Sequence, residues 1–547
     1  MAEGEEAKVE GAVEQPSSAA GGGGGRFGRG AGAVQEGLRE LVERLGRQRL
    51  LAIGLVLVLI VSPWPPLTLA ALAAYVVVAF KTPGVTTALI PLAFPFAYQP
   101  KSLFGPLFPV VELLLLVALA TSGVQVLARW RRAASAGSGS AAVLDFWDEV
   151  KRILGGSFGL QAAALALIAT FSLFTVADQA HLRESLREYR TVVIEPLLYF
   201  FLARHWLRGR ELRLLAIGAF VGGATIVGLL AIGQVATGQG VVATEGVRRA
   251  IGTYRHPNAL ALYLVRAVAF AAAFVALAGA PRRVVALIAC LPVIGLALVL
   301  TFSRGAFLGL IAALAVLLAF LIAHQVATRV ETLRRKGSRA ATAGGDGRTF
   351  GLAVAAIAVV AVVLVAAVVG LTLVRASSDS LSLRQLIWRS TLEMIRDRPA
   401  FGVGLDQFLS QYAPRYIDPS AWDERYTSHP HNLFLDFWVR LGIMGLAWVA
   451  WTLGSLAVRL MRAWRPAVVP PPKRAGRATG EAAGTSAAND ELRPVLIAAG
   501  VACVAAVVHG MLDNFFFLID LAFAWWFLIA LVQIGAEGRG EEPTEGW

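Results

Sequence analysis

The chain has 547 residues, 56% of them hydrophobic and only 16% charged, with a formal net charge of +13. That is too apolar for a soluble protein of this length, and it excludes a disordered or disulfide-stapled secreted chain. The positive balance does not imply nucleic acid, because basic loops are what inner-membrane topology produces by itself.

Residues 1–45 contain Gly21–Gly25 and mixed charges and read as a disordered cytoplasmic tail. No short signal peptide with a cleavage site follows, so the first apolar run should act as an uncleaved anchor. Fourteen candidate spans follow, near 47–62, 66–80, 84–99, 105–128, 158–176, 191–206, 213–234, 258–279, 283–301, 305–325, 350–374, 434–461, 494–509 and 515–535. The third contains several prolines and the last two are tight, which gives a range of 12–14. The longest runs, such as 351–374, reach the roughly 20 residues that cross a bilayer. The alternation of a membrane β-barrel is absent. The fold class is therefore an all-α polytopic membrane protein.

Arginine and lysine clusters follow the even-numbered spans. They are Arg129, Arg131 and Arg132; Arg204, Arg208, Arg210 and Arg213; Arg282 and Arg283; Arg334, Arg335, Lys336 and Arg339; and Lys473, Arg474 and Arg477. One face is consistently basic and should be cytoplasmic, together with both termini. The domain plan is a bundle over 46–374, an external loop over 375–433, and C-terminal helices over 434–535. A cytoplasmic linker at 463–493 and a cytoplasmic tail at 536–547 complete it. Linkers at 132–142, 336–348 and 465–490 are rich in Gly, Ala, Ser and Pro and hold no folded domain. No G-x-G-x-x-G follows a strand and no Walker sequence occurs, so a soluble nucleotide has no pocket. Cys290 and Cys503 lie in apolar runs and read as core residues.

Chemistry is expected on the outer side. In the long loop, Leu386, Ile387, Leu392 and Ile395 recur at helical spacing until Pro399 stops the helix. This is an amphipathic helix lying on the membrane or against the bundle, and a second short helix should follow it. His429 and His431 end the loop. Pro430 suits a first helical turn with Ser428 or His429 as cap. His431 would then lie near the positive end of a helix dipole, which favours a neutral ring able to accept a proton. Two other readings stand beside this one. The ring can be a polar interface residue, or His429 and His431 can bind zinc, for which no further ligands are evident.

The outer loops are unexpectedly rich in arginine. Arg183, Arg187 and Arg190 share one helical face, Arg248, Arg249 and Arg255 fall in the next outer loop, and Arg304 starts the tenth span. An arginine at the membrane centre costs about 2.5–3.5 kcal/mol, so several together suggest an anionic ligand. Guanidinium grips phosphate oxygens with paired hydrogen bonds. With no nucleotide pocket, the leaving group should be a lipid phosphate or diphosphate. Glu112 and Glu195 are candidate buried partners of these arginines, while His509, Asp513 and Asn514 should satisfy helix ends.

Four stretches carry a resemblance: "RHPNALALYL" at 255–264, "TFSRGAFLGL" at 301–310, "RDRPAFGVGLDQF" at 396–408 and "HPHNLFLDFWVRLGIMGL" at 429–446. In this order the chain resembles the O-antigen ligase and polymerase superfamily over roughly residues 160–535. The resemblance implies a membrane glycosyltransferase of GT-C type in the bacterial cytoplasmic membrane, with its site facing the exterior. It would move a glycan from an undecaprenyl-diphosphate carrier to a hydroxyl of lipid A core, another glycan or a protein. The family's catalytic histidine matches His431, and its diphosphate arginines match Arg304 and Arg190. Arg255 is a third diphosphate-binding candidate and would help shape the sugar site, and His429, Asn432 and Arg187 are supporting residues. Asn432 either orients the ring or caps the helix. Tyr412, Tyr416, Trp422 and Tyr426 offer faces for sugars. The family is metal-independent, so no metal or cofactor is expected, and the first outer loop, Ser62–Leu67, has no acidic residue. Polymerase and protein O-oligosaccharyltransferase activities are alternatives. A lipid-linked sugar flippase is the rival from another class, although no inverted repeat is visible.

Overall fold

The computed structural model describes residues 46–135, 148, 151, 155–244, 247–277, 281–336, 379–464 and 480–538. The predicted eleventh span, the first 45 residues and much of each predicted linker lie outside the described residues. The chain divides into units 1–54 and 55–547, and every contact below is internal to the second.

Helices α1 (Arg47–Val61) and α2 (Pro65–Lys81) open the described chain. Helix α3 (Pro83–Leu89) runs into a 3-10 segment, Ile90–Phe96. Pro91 and Pro95 lack the N–H groups an α-helix needs, so the third expected span does not form a regular helix. Instead, every residue from Pro83 to Ala97 is buried. A two-residue hairpin pairs β1 (Lys101–Ser102) with β2 (Leu107–Phe108) before α4 (Val110–Ser135). Helix α5 (Ser157–Ser172) follows. Next, α6 (Leu182–Glu188) widens into a π turn, Tyr189–Ile194, and continues as α7 (Glu195–Trp206). Pro196 cannot donate to the preceding turn, which a local π turn accommodates.

Helix α8 (Arg210–Thr237) ends on Gly238, and a hairpin pairs β3 (Val241–Thr244) with β4 (Val247–Ala250). Three helices follow: α9 (Pro257–Leu277), α10 (Pro281–Leu300) and α11 (Arg304–Lys336). Helix α12 (Asp379–Asp397) stops two residues before Pro399, as its sequence requires. Then come α13 (Leu433–Trp464), α14 (Gly480–Gly510) and α15 (Ile519–Gly538). Helix α14 therefore reaches back into the segment expected to be linker.

Among the described residues, seven helices are long and apolar enough to cross a membrane. They begin at Val110, Arg210, Pro257, Arg304, Leu433, Leu492 and Ile519, and four shorter apolar helices accompany them. The chain is an all-α polytopic membrane protein. Helix α15 is its central element, buried from Asp520 to Ala536. Phe523 and Phe527 of α15 meet Phe94, Tyr199 and Phe220 with ring centroids 5.4–6.5 Å apart. Aromatic pairing of this kind contributes about 0.5–1.5 kcal/mol per pair beyond area burial. In lipid such packing matters more, because burial from water does not drive helices together.

The amphipathic helix α12 packs against protein. Its buried face, Ile387, Met394 and Ile395, joins Val403, Phe408, Tyr412 and Val439 in one cluster. The loop after α12 is fixed by a break in α13. Gly442 has φ 67° and ψ −165°, a conformation open only to glycine. The break frees the carbonyls of Val439 and Arg440 to accept from Val403 N–H at 2.6 Å and Gly404 N–H at 3.2 Å. Ile443 N–H donates back to Pro399 at 3.1 Å. Two of the quoted motifs, 396–408 and 429–446, thus dock edge to edge.

Candidate active site

Helix α13 starts at Leu433, and its cap is Asn432. The Asn432 side-chain oxygen accepts from the N–H groups of Phe434 at 3.0 Å and Leu435 at 3.2 Å. Of the two roles expected for Asn432, the structure therefore gives it the cap, and its Nδ2 also donates to the Met511 carbonyl at 3.2 Å. The expected cap at Ser428 or His429 is displaced, because Pro430 lies outside the helix. His431 stands just before the cap with φ 53°, in the left-handed region. Two clamps hold this turn. Trp388 Nε1–H of α12 donates to the Pro430 carbonyl at 2.8 Å, and Arg440 Nη2–H donates to the Ser428 carbonyl at 2.9 Å. Arg440 is itself buried between Glu188, 2.8 Å away, and Asp436, 2.7 Å away.

Asp513, in the turn between α14 and α15, is the centre of the site. Its Oδ1 lies 3.3 Å from His431 Nδ1 and 3.4 Å from His429 Nε2, and it accepts from Asn514 N–H at 2.8 Å. Its Oδ2 accepts from Asn258 Nδ2 at 2.9 Å. Arg249 in turn donates to the Asn258 oxygen at 2.7 Å and to the Thr301 carbonyl. Burial works to raise the Asp513 carboxyl, but the hydrogen bonds and charge of the two histidines outweigh it and hold the group well below its usual range. Burial, reinforced by neighbouring His431, lowers the His429 imidazole, and burial also lowers His256. With Nδ1–H turned to Asp513, His431 keeps its Nε2 lone pair on the side of Thr427, whose hydroxyl lies 3.2 Å away. A carboxylate behind an imidazole is the arrangement of a general base.

His429, His431 and Asp513 line a cavity of about 580 Å³ with Arg255, His256, Tyr98, Tyr254 and Tyr426. The acidic side chains Asp423 and Glu424 face the same space. The cavity brings together His431, His429 and Arg255 of the expected residues. Arg304 and Arg190 are not among its lining residues. Arg304 begins α11 and is exposed, one residue after Ser303, whose hydroxyl lies 3.4 Å from His509 Nε2. Arg190 is paired with the buried carboxylates Glu112 and, at 2.8 Å, Glu195, the two partners expected for an external arginine. Arg187 pairs with Asp406 at 3.1 Å on an exposed surface. Of the expected aromatic faces, Tyr426 reaches the cavity, whereas Tyr412 is stacked on Phe408 in the buried cluster.

Asp513 was expected only to satisfy a helix end, but it lies in the turn before α15, which Asn514 closes by accepting from Phe516 and Phe517 N–H at 3.0 Å. The partnership of Asp513 with His431 spans 82 residues of sequence, so no local spacing announces it. His429, His431 and Asp513 also form a donor set able to hold a metal ion, with one ligand atom from each lying within 4.8 Å of the others. The third member of that set is the ligand missing from the sequence reading.

Residues 285–450 match the family model described as O-antigen ligase. The chain carries an O-antigen ligase superfamily domain. No curated protein matches the chain at a significant level. The O-antigen ligase match runs from within α10 into α13 and contains Arg304, His429, His431 and Asn432. Arg190, Arg255 and Asp513 come from outside it, so the rest of the bundle supplies part of the cavity. The match supports a membrane enzyme of the O-antigen ligase or polymerase type.

Proposed function

We propose that this protein transfers a glycan from an undecaprenyl-diphosphate carrier to an acceptor hydroxyl at the outer face of the cytoplasmic membrane, with His431 as general base. The observation that carries the reading is the Asp513–His431 pair in the wall of a cavity that also holds Arg255. The acceptor O–H gives its proton to His431 Nε2 as its oxygen attacks the anomeric carbon. The bond from that carbon to the diphosphate oxygen breaks in the same step, so one displacement inverts the centre. Asp513 holds the ring tautomer and stabilises the imidazolium that forms.

Negative charge grows on the departing diphosphate, and preorganised guanidinium groups are the means to stabilise it. Arg255 and Arg304 are exposed and carry no ion pair among the described residues. Arg190, outside the cavity lining and held by Glu112 and Glu195, is given no part in meeting the diphosphate. Tyr98, Tyr254 and Tyr426 provide ring faces for the sugar. The reaction so drawn needs no metal, because a carboxylate activates the base and arginines meet the leaving group. Ligase, polymerase and protein-glycosylating members share this donor chemistry and differ in the acceptor.

The test uses the full chain in nanodiscs with a purified lipid-diphosphate glycan and candidate acceptors, read by mass spectrometry. His431→Ala should bind the donor and lose transfer by at least about 10²-fold, the usual contribution of a general base. Undiminished transfer by that variant removes His431 from the role.

A further inference from the structure

A second feature lies at the other end of the bundle from the histidine cavity. Helices α4 and α7 both begin at the Glu112–Arg190–Glu195 cluster and run the same way, to where Trp206 Nε1–H donates to the Ser122 hydroxyl at 3.1 Å. Between them opens a trough of about 230 Å³. Its walls include Leu119, Val126, Leu198 and Leu202, and its polar end holds Gln125 and Arg129. Arg129 stands 17 residues beyond Glu112, about 26 Å along the helix at 1.5 Å per residue. The candidate span ends at Arg132, so Arg129 occupies the last turn, where hydrocarbon gives way to headgroups. Exposed Trp130 is an interfacial residue by type and place.

Arg129 is exposed and makes no hydrogen bond or ion pair among the described residues. Arg131 and Arg132, also exposed, add to the positive field around it. An apolar trough open to the side and ended by a guanidinium without an ion pair among the described residues fits one acyl chain below one phosphate. We propose that this trough binds a single anionic glycerophospholipid, its phosphate on Arg129 and the upper part of one chain between α4 and α7. A zwitterionic lipid offers the same phosphate but sets its ammonium among three arginines. The charge therefore selects the anionic headgroup.

Native mass spectrometry of the full chain tests this, from micelles holding equal phosphatidylglycerol and phosphatidylcholine with the same acyl chains. One phosphatidylglycerol adduct should exceed the phosphatidylcholine adduct by roughly tenfold, because only phosphatidylcholine sets an ammonium against the arginines. Arg129→Gln should weaken both adducts and lower that ratio, since the group nearest the headgroup loses its charge. A Cβ at Gly123, which lines the trough, meets no atom within 4 Å, so Gly123→Leu can fold while its side chain fills the space. That variant should lose the adduct of either lipid while keeping the thermal midpoint measured in lipid-free micelles. Equal adducts in the unaltered chain overturn the proposal, as does a ratio that survives Arg129→Gln or an adduct that survives Gly123→Leu. Glycerol phosphate, which lacks chains, should not compete, and competition by it would overturn the acyl part.

Discussion

Asp513 accepts from four directions, and its substitution separates charge from shape. Asp513→Asn keeps the volume but removes the charge that stabilises imidazolium, and its amide can force the wrong His431 tautomer. Transfer should fall by about 10²-fold or more with donor affinity little changed, a kcat effect. A loss confined to KM would place Asp513 in substrate binding instead. The same cluster fixes the sign of a pH effect. His429 titrates below its ordinary value of 6.5, because burial and His431 outweigh the pull of Asp513 and Asp436. In the unfolded chain it takes its proton near pH 6.5, whereas in the folded chain it does so only at lower pH. Stability is then full above about pH 6.5 and declines as pH falls below it. Asp513, held well below its usual range, adds a further loss at lower pH. Thermal midpoints measured from pH 7.5 down to 5.5 should fall, and His429→Gln should flatten that slope.

Helices and their ends show how far the sequence could be read. The α12 stripe and its stop at Pro399 were legible, because local spacing and one ring decide both. The cap of α13 was misplaced by three or four residues. The sequence offers Ser428, His429 and Asn432 as possible starts, and the choice of Asn432 is made by the Met511 carbonyl and the Trp388 clamp on Pro430. Asn432→Ala should cost about 1 kcal/mol in thermal unfolding, and Asn432→Asp should recover most of it. The break at Gly442 was not legible, since a glycine within an apolar run has several explanations. Its backbone sets a hypothetical Cβ 2.0 Å from the Ala400 carbonyl oxygen. Gly442→Ala should therefore cost about 3 kcal/mol or more and loosen the 399–404 edge. Gly402, with φ 68° and a Cβ position 2.4 Å from the Val439 carbonyl oxygen, faces the same break. The arginine-rich outer face and its candidate partners Glu112 and Glu195 were visible in the sequence, but which arginine they meet was not. Arg190 meets Glu112 from 78 residues away, a contact that only the folded bundle creates.

At the scale of the whole molecule, two kinds of charge lie at opposite ends of the helices. Arg129, Arg131 and Arg132 close α4, while the histidine turn opens α13 and Asp513 follows α14. Basic loops resist translocation, so the arginine end should face the cytoplasm and the cavity the exterior. A carrier whose diphosphate sits in the outer leaflet then reaches the cavity without crossing the bilayer. This orientation is testable through two exposed serines, Ser135 at the end of α4 and Ser420 in the loop before the histidines. The chain has two native cysteines, Cys290 and Cys503, and replacing both with alanine removes background labelling. In intact spheroplasts, Ser420→Cys should react with a membrane-impermeant maleimide, and Ser135→Cys should react only after permeabilisation. The reverse pattern would put His431 on the cytosolic side, where a donor glycan displayed in the outer leaflet could not meet its base.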